Sequence, residues 1–508
     1  MSNKKVQTNI MSNLKCATID GIDAIEVNIE STFTKGLPSF SIVGLASTSI
    51  QESRERIKSS LLTNDFKFPP KRITINLSPS EVAKKGSHLD CAIALLVALN
   101  EKNINFDDFF VFGELGLDGS LKDTKSIFIL ILSLAKQGKI KNVLIPKESI
   151  EKISKIPNIN IYAVDNLQDA ILFFNSKQKE QYKIQNQDFS YNFLEINNKK
   201  YYFTKEYSYD FADVKGQSLA IKAALISAAG NHNILFQGSP GCGKSMIIKR
   251  LQYIMPPMDL SSILEKAKLD SLQLKEPNFK PKRAFISPHH SSTKASIIGG
   301  TSIGEIALCH NGILFFDELP HFSKIVLESL REPLEDNSIL ISRVNSKIKY
   351  PTKFLFASAM NPCPCGNLLS STKDCRCNEL DIQRYKNKLS EPFLDRIDLI
   401  VTMNEYNKND TTINSSEELH SIVLDAFTMQ IKRGQKELNG KLNEEDILKY
   451  CVLDNESTTL LENAIEKFSL SFRSINKILK VSRTIADINK HKNINKLDLL
   501  EALSYRKR

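Results

Sequence analysis

A chain of 508 residues, 41% hydrophobic and 25% charged, has the composition of a globular protein and the length for about three domains. No run of about eighteen apolar residues, no apolar leader core in "MSNKKVQTNIMSNLKCATID" and an odd count of nine cysteines argue against a transmembrane helix, secretion and a disulfide framework; a cytoplasmic protein with no membrane partner is expected. The net charge of +10 admits a nucleic-acid partner, but lysine is spread along the whole chain, so the placement of the basic residues matters more than their sum.

Residues 1–174 alternate strand and helix patterns. "PSFSIVGL", "RITINLSP", "NVLIPKES" and "NINIYAVD" are predicted strands, and "SIQESRERIKSSLL" and "HLDCAIALLVALN" predicted helices, an α/β or α+β arrangement. Residues 175–207 turn polar and read as a linker, with room for a short hairpin at "NNKK". Residues 208–403 follow as helix, strand, glycine-rich loop and helix, and residues 404–508 read as almost wholly helical, with apolar residues three and four apart.

The stretch "GSPGCGKS" (Gly238, Ser239, Pro240, Gly241, Cys242, Gly243, Lys244, Ser245) fits G-x-x-x-x-G-K-[ST] between the strand-like "HNILFQ" and the helical "MIIKRLQYI". Its glycines let backbone N–H groups turn inward around phosphate oxygens, Lys244 would contact the β- and γ-phosphates of ATP, and Ser245 would ligate Mg²⁺. "GILFFDE" then ends an apolar strand in two carboxylates: Asp317 suits Mg²⁺, and Glu318 suits the deprotonation of an attacking water. A third apolar strand, "KFLFASAMN", would deliver the Asn361 amide beside Glu318, unless that residue merely turns the chain before Pro362. Arg396, between two aspartates in "PFLDRIDLI", is either a structural ion pair or an arginine finger for a neighbouring subunit's phosphate; Arg473 either reaches the nucleotide or lies on the surface.

With these residues the chain resembles the YifB/ComM family of magnesium-chelatase-like AAA+ ATPases. The likeness runs through "GLPSFSIVGL", "FPPKRITINLSP", "FADVKGQ", "GSPGCGKS", "SPHHSSTKASIIGG", "GEIALCHNGILFFDELP", "REPLEDNSILISR", "NPCPCG", "EPFLDRIDL" and "EALSYR", in order along nearly the whole length. The resemblance implies a Lon-protease-like α+β domain, a phosphate-loop ATPase core and a helical lid. It also implies a homo-hexameric ring with ATP sites between subunits, in which Asn361 and Arg473 are the two sensors and Arg396 the finger. Better-known members act as ring helicases driving branch migration of DNA in natural transformation, which makes single-stranded or branched DNA the expected partner. A chelatase motor, an ATP-dependent protease and a non-enzymatic scaffold are the alternatives.

Three features stand beside that resemblance. The segment "NSILISRVNSKIKYPTKF" reads as a hairpin crowded by Arg343, Lys347, Lys349 and Lys353, which in a ring would face the pore and track a DNA backbone; a lysine-protected edge is the other reading. The protease-like domain carries "KKGSHLD", where His88 falls at the position of a serine nucleophile, Ser87 sits one residue early, and Lys136 comes late for a base, so no proteolysis is expected. Cys363, Cys365, Cys375 and Cys377 suit a structural Zn²⁺, with free thiols or a redox pair as alternatives; four thiolates leave no open position for catalysis. His289 and His290 fit a loop turn or a nucleic-acid contact better than a metal site.

Overall fold

The structure, a computed structural model, describes residues 12–506 apart from 101, 103, 107, 177, 301, 343–346, 406–410 and 413. The chain forms two compact units, residues 1–190 with 267–279, and residues 191–266 with 280–508.

The first unit is built on an eight-stranded mixed sheet. From one edge the strands run Lys183–Ile184, Asn160–Val164, Asn142–Pro146, Phe109–Val111, Ser12–Asp20, Asp23–Thr34, Arg72–Ser78 and Ser39–Val43. The four strands expected from sequence lie in this sheet, and the expected helices are Thr48–Thr63 and Asp90–Ala98. The long antiparallel pair Ser12–Asp20 and Asp23–Thr34, with no counterpart among the strands read from sequence, turns at Gly21 with φ +65°. Helix Lys125–Lys136 buries Ile127 through Leu134 as one block.

His88 lies inside this unit. Its Nε2–H donates to the Ala17 carbonyl at 2.8 Å, and its Nδ1 lies 3.1 Å from the Ser126 hydroxyl, which donates to it in the neutral ring that burial favours. Ser87 donates to the Glu114 carboxylate, and Lys84 to the Pro79 carbonyl. The position of a nucleophile thus holds a sealed, fully bonded imidazole. Burial pushes its pKa down to about 4. An unfolded histidine takes up its proton near pH 6.5, so the unfolded state binds more protons between those two values. The stabilisation is complete above pH 6.5 and falls away as pH drops to about 4, by about 3 kcal/mol in all. Thermal melts from pH 7.5 to 4.5 should show a steeper loss of Tm in the native protein than in His88→Gln; equal slopes would contradict this account.

The stretch expected as a linker, 175–207, is largely folded. Lys183–Ile184 closes the edge of the first sheet, and Asn192–Ile196 pairs with Lys199–Phe203 and through it with Met258–Asp259. Asn197 and Asn198, with φ +53° and +59°, make the two-residue turn of that hairpin, since asparagine tolerates left-handed backbone. The hairpin expected at "NNKK" is therefore present, and the polar residues around it mark a small, half-exposed sheet rather than a tether.

The second unit carries a five-stranded parallel sheet in the order Phe285–Ile286, Ile313–Phe316, Leu355–Met360, Ile234–Gln237, Leu399–Thr402. Its inner strands are mostly apolar, as strands covered on both faces must be, and the one buried hydroxyl, Ser358, donates to the Ile234 carbonyl at 3.3 Å. Five longer helices follow: Ser416–Lys432, Glu444–Tyr450, Asn455–Phe468, Phe472–Ile488 and Lys496–Ser504. Each starts at a polar cap, Ser415, Asn443, Asp454, Ser471 or Asn495, whose side chain accepts a backbone N–H. Val423, Ile485 and Leu499 of these helices share one core with Ile234, Phe315 and Ala357 of the sheet, so no separate unit begins at residue 404. No helix among the described residues is long and apolar enough to cross a membrane.

Candidate functional site

Strand Ile234–Gln237 runs into the loop Gly238–Gly243, and helix Lys244–Leu251 leaves it. Gly241 and Gly243 have φ +83° and +94°, which only glycine adopts without strain, and an added Cβ at either would meet nothing within 4 Å. The loop is therefore an open cradle of backbone N–H groups at a helix N-terminus. Lys244, largely buried, donates to the carbonyls of Gly238 and Ser239 at 2.7 and 2.9 Å and to Asn361 Oδ1 at 3.2 Å. Ser245 Oγ donates to Asp317 Oδ2 at 2.8 Å.

These contacts follow from strand order. Leu355–Met360 lies between the strand that feeds the phosphate loop and the strand that ends in the acidic pair. All three are parallel, so Gly238, Asp317 and Asn361 emerge at the same edge of the sheet. Glu318 holds left-handed backbone, φ +52°, which turns the chain just past Asp317 and leaves its side chain exposed. Strain of this kind in a non-glycine residue gathers at functional sites.

Side chains that sequence reasoning did not single out complete the edge. His321 Nδ1 lies 3.1 Å from Glu318 Oε2. The Tyr385 hydroxyl accepts the Asn361 backbone N–H, and burial pushes its pKa up to about 12. The rings of His289 and His290, which the sequence did mark, lie 4.1 Å apart at a 35° tilt, with His290 6.2 Å from His321, so the pair borders the acidic residues. Only the spacing "DELPH" hinted at His321; nothing local marked Tyr385.

Arg396 and Arg473 are brought together elsewhere. Arg396 pairs with Oε2 of Glu335 and Arg473 with its Oε1, and Arg473 also approaches Asp395 at 3.7 Å. Asn233, just before strand Ile234–Gln237, donates to the Arg396 carbonyl at 2.9 Å. The arginines therefore stand where strands begin, whereas the phosphate loop stands where they end, roughly 10 Å of strand away. Arg473 sits beside the finger candidate rather than beside its own phosphate loop. Glu335, Asp395, Arg396, Asp398, Arg473 and Lys477 line a cavity of about 300 Å³ at this edge.

The hairpin forms as Ser338–Ser342 paired with Lys347–Pro351. Ile339, Ile341 and Tyr350 are buried, while Leu340, Ser342, Lys347 and Lys349 face outward. Arg343 lies outside the described residues. Lys353 sits beyond the hairpin and is paired at 2.6 Å with Glu437, so its charge is already matched. The thiols of Cys363, Cys365, Cys375 and Cys377 converge within 4.8 Å of one another.

Comparison with known proteins accords with this arrangement. The magnesium chelatase subunit ChlI profiles match residues 210–411 for the main domain, 29–149 for a further ChlI segment and 413–506 for the C-terminal segment. The chain is 36% identical to the competence protein ComM of Haemophilus influenzae over 499 residues, covering 96% of this chain and 95% of that protein. It belongs to the YifB/ComM family of magnesium-chelatase-like AAA+ proteins. Another member, the uncharacterized protein YifB of Escherichia coli, is 35% identical over the same length, again covering 96% of this chain and 95% of the relative. A magnesium-chelatase subunit ChlI homolog of Methanocaldococcus jannaschii is 22% identical over 234 residues, 40% of this chain and 61% of the homolog. The family has an AAA+ ATPase core, here joined to a Lon-protease-like α+β domain and a helical lid.

Proposed function

We propose that this protein is an ATP-driven DNA translocase that works as a homo-hexamer in the cytoplasm and promotes branch migration of recombining DNA. The observation that carries the reading is the division of the site between two edges of one sheet. Lys244, Ser245, Asp317, Glu318 and Asn361 stand at one edge, while Arg396 and Arg473 share Glu335 at the other. A guanidinium pair held by Glu335 at the opposite ends of the strands can serve the loop of a second copy, as a closed ring requires.

The residues present fit ATP and Mg²⁺: the loop is open above its glycines, and a hydroxyl and a carboxylate already lie 2.8 Å apart. Loop N–H groups and Lys244 would hold the β- and γ-phosphates, and Ser245 and Asp317 the metal. Bound magnesium supplies charge neutralisation on the phosphate oxygens. Glu318 takes the proton of the attacking water, Asn361 fixes that water's position, and Arg396 and Arg473 from the adjoining copy stabilise charge on the leaving oxygens. Lys347 and Lys349, outward on the hairpin, would run along a DNA backbone. The likeness to a competence protein supports the same reading. The first unit, with its nucleophile position sealed by His88, serves assembly or substrate contact rather than proteolysis.

The test is steady-state ATP hydrolysis with and without single-stranded and four-way-junction DNA. Stimulation by DNA is expected, and the Lys347→Ala/Lys349→Ala double variant should lose it while keeping the DNA-free rate. Two lost phosphate contacts per subunit should also flatten the salt dependence of single-strand binding by about 1.4 in log–log slope. Hydrolysis indifferent to every DNA would sink the translocase reading and bring forward a chelatase or protein-remodelling motor.

A further inference from the structure

We propose that the four thiols bind one Zn²⁺ and that this ion sets the position of the phosphate loop, so that nucleotide affinity depends on metal occupancy. The proposal rests on the ATPase reading of that loop.

The sulfur geometry comes first. Cys363 and Cys365 Sγ lie 3.4 Å apart, and each lies 3.7 Å from Cys375 Sγ. A disulfide would bring two of them to about 2.05 Å. Zn–S bonds of about 2.3 Å directed to tetrahedral corners place the sulfurs about 3.8 Å apart, which the thiols nearly match. Backbone donors already point at the sulfurs. Asn367 and Arg376 N–H groups serve Cys365, Cys377 N–H serves Cys375, and Cys365 N–H serves Cys377. Such N–H groups spread the charge of a tetrathiolate centre. Binding follows Zn²⁺ + 4 R–SH → [Zn(S–R)₄]²⁻ + 4 H⁺, with four thiol bonds exchanged for four Zn–S bonds and no redox step.

The coupling comes from what the knuckle touches. Gly366, at φ +83°, follows Cys365, and a Cβ there would lie 2.6 Å from both Cδ and Cγ of Pro240. The turn therefore rests against the phosphate loop with no space between. Asn361 stands two residues ahead of Cys363, and its N–H is held by Tyr385, on the helix Glu379–Lys386 that Asn378 caps directly after Cys377. The metal would tie the two ends of an excursion that leaves Asn361, backs Pro240 and returns to Asn361. Without it, only weak N–H···S and S···S contacts join Cys363–Cys365 to Cys375–Cys377, and the backing of both groups loosens.

The experiment uses the full-length protein, zinc determination by mass spectrometry, and titration with a fluorescent ADP. One zinc per chain is expected, falling to none in Cys375→Ser/Cys377→Ser. Chelation should weaken ADP affinity by roughly tenfold, and added zinc should restore it. Gly366→Ala keeps all four thiols; it should retain the zinc yet bind ADP comparably weakly, because its methyl group meets Pro240. Protein that carries no zinc overturns the proposal. So does metal-free protein with unchanged circular dichroism that binds ADP as tightly as the loaded form. If chelation unfolds the chain, Gly366→Ala decides: full zinc with native affinity is a contradiction. Zinc-loaded native protein that binds no ADP would instead remove the ATPase reading and this proposal with it.

Discussion

Replacing Glu318 with glutamine should cut ATP turnover by about 100-fold or more while leaving nucleotide affinity nearly unchanged. Glutamine keeps the size and polarity of the side chain but cannot take a proton. The groups assigned to the nucleotide do not depend on it: Lys244 is anchored by Gly238, Ser239 and Asn361, and Ser245 by Asp317. Glu318 itself is exposed, and its carboxylate lies 3.1 Å from His321. The variant should therefore fold, bind nucleotide and stall. Phosphate release and nucleotide titration on one preparation check this. Loss of binding together with turnover would mean that Glu318 shapes the loop; undiminished turnover would mean that another base acts.

Asp487→Ala should be the most destabilising change in the helical tail, at about 3–5 kcal/mol. Its carboxylate is fully buried and meets Arg483 at 3.0 Å, Arg433, and the Asn439 amide at 2.8 Å. Arg483 is as deeply buried and also donates to the carbonyls of His491 and Lys492, while its Nε–H has no hydrogen-bond partner among the described residues. Removing the aspartate leaves a guanidinium charge in the core with no counter-ion and no route to water. Thermal unfolding should drop by roughly 10 °C. Glu456→Ala, which breaks an exposed pair with Lys496 at 3.8 Å, should shift it by no more than about 2 °C. Equal effects would show that burial does not govern these pairs.

The phosphate loop could be read from sequence because its backbone conformation permits few residue types: glycine at φ +83° and +94°, then lysine and serine on the first helical turn. The apolar strands were legible for a similar reason, since strands covered on both faces admit little but Ile, Leu, Phe and Ala. What escaped were meetings of residues distant in sequence. Glu335 gathers Arg396 and Arg473, yet "REPLED" has no local feature announcing it. Tyr385 braces Asn361 from a mostly polar helix, and its role depends on where that helix docks. In the segment 192–203 the hairpin at "NNKK" was legible, but its strands were read as linker because they leave most side chains in water and the alternation of apolar residues is weak. Arg473 shows the same limit at a single side chain, since its reach depends on helix packing that no spacing encodes.

The strand order also governs how the chain can come off the ribosome. Strand Ile234–Gln237 has two neighbours, and they end at residues 360 and 402, so its second edge stays uncovered until 402 − 237 = 165 further residues have been made. At about 5–20 residues per second, that leaves an apolar strand with an open edge for roughly 10–30 s. Throughout that interval the nascent chain holds a nucleotide-binding signature that cannot yet bind nucleotide.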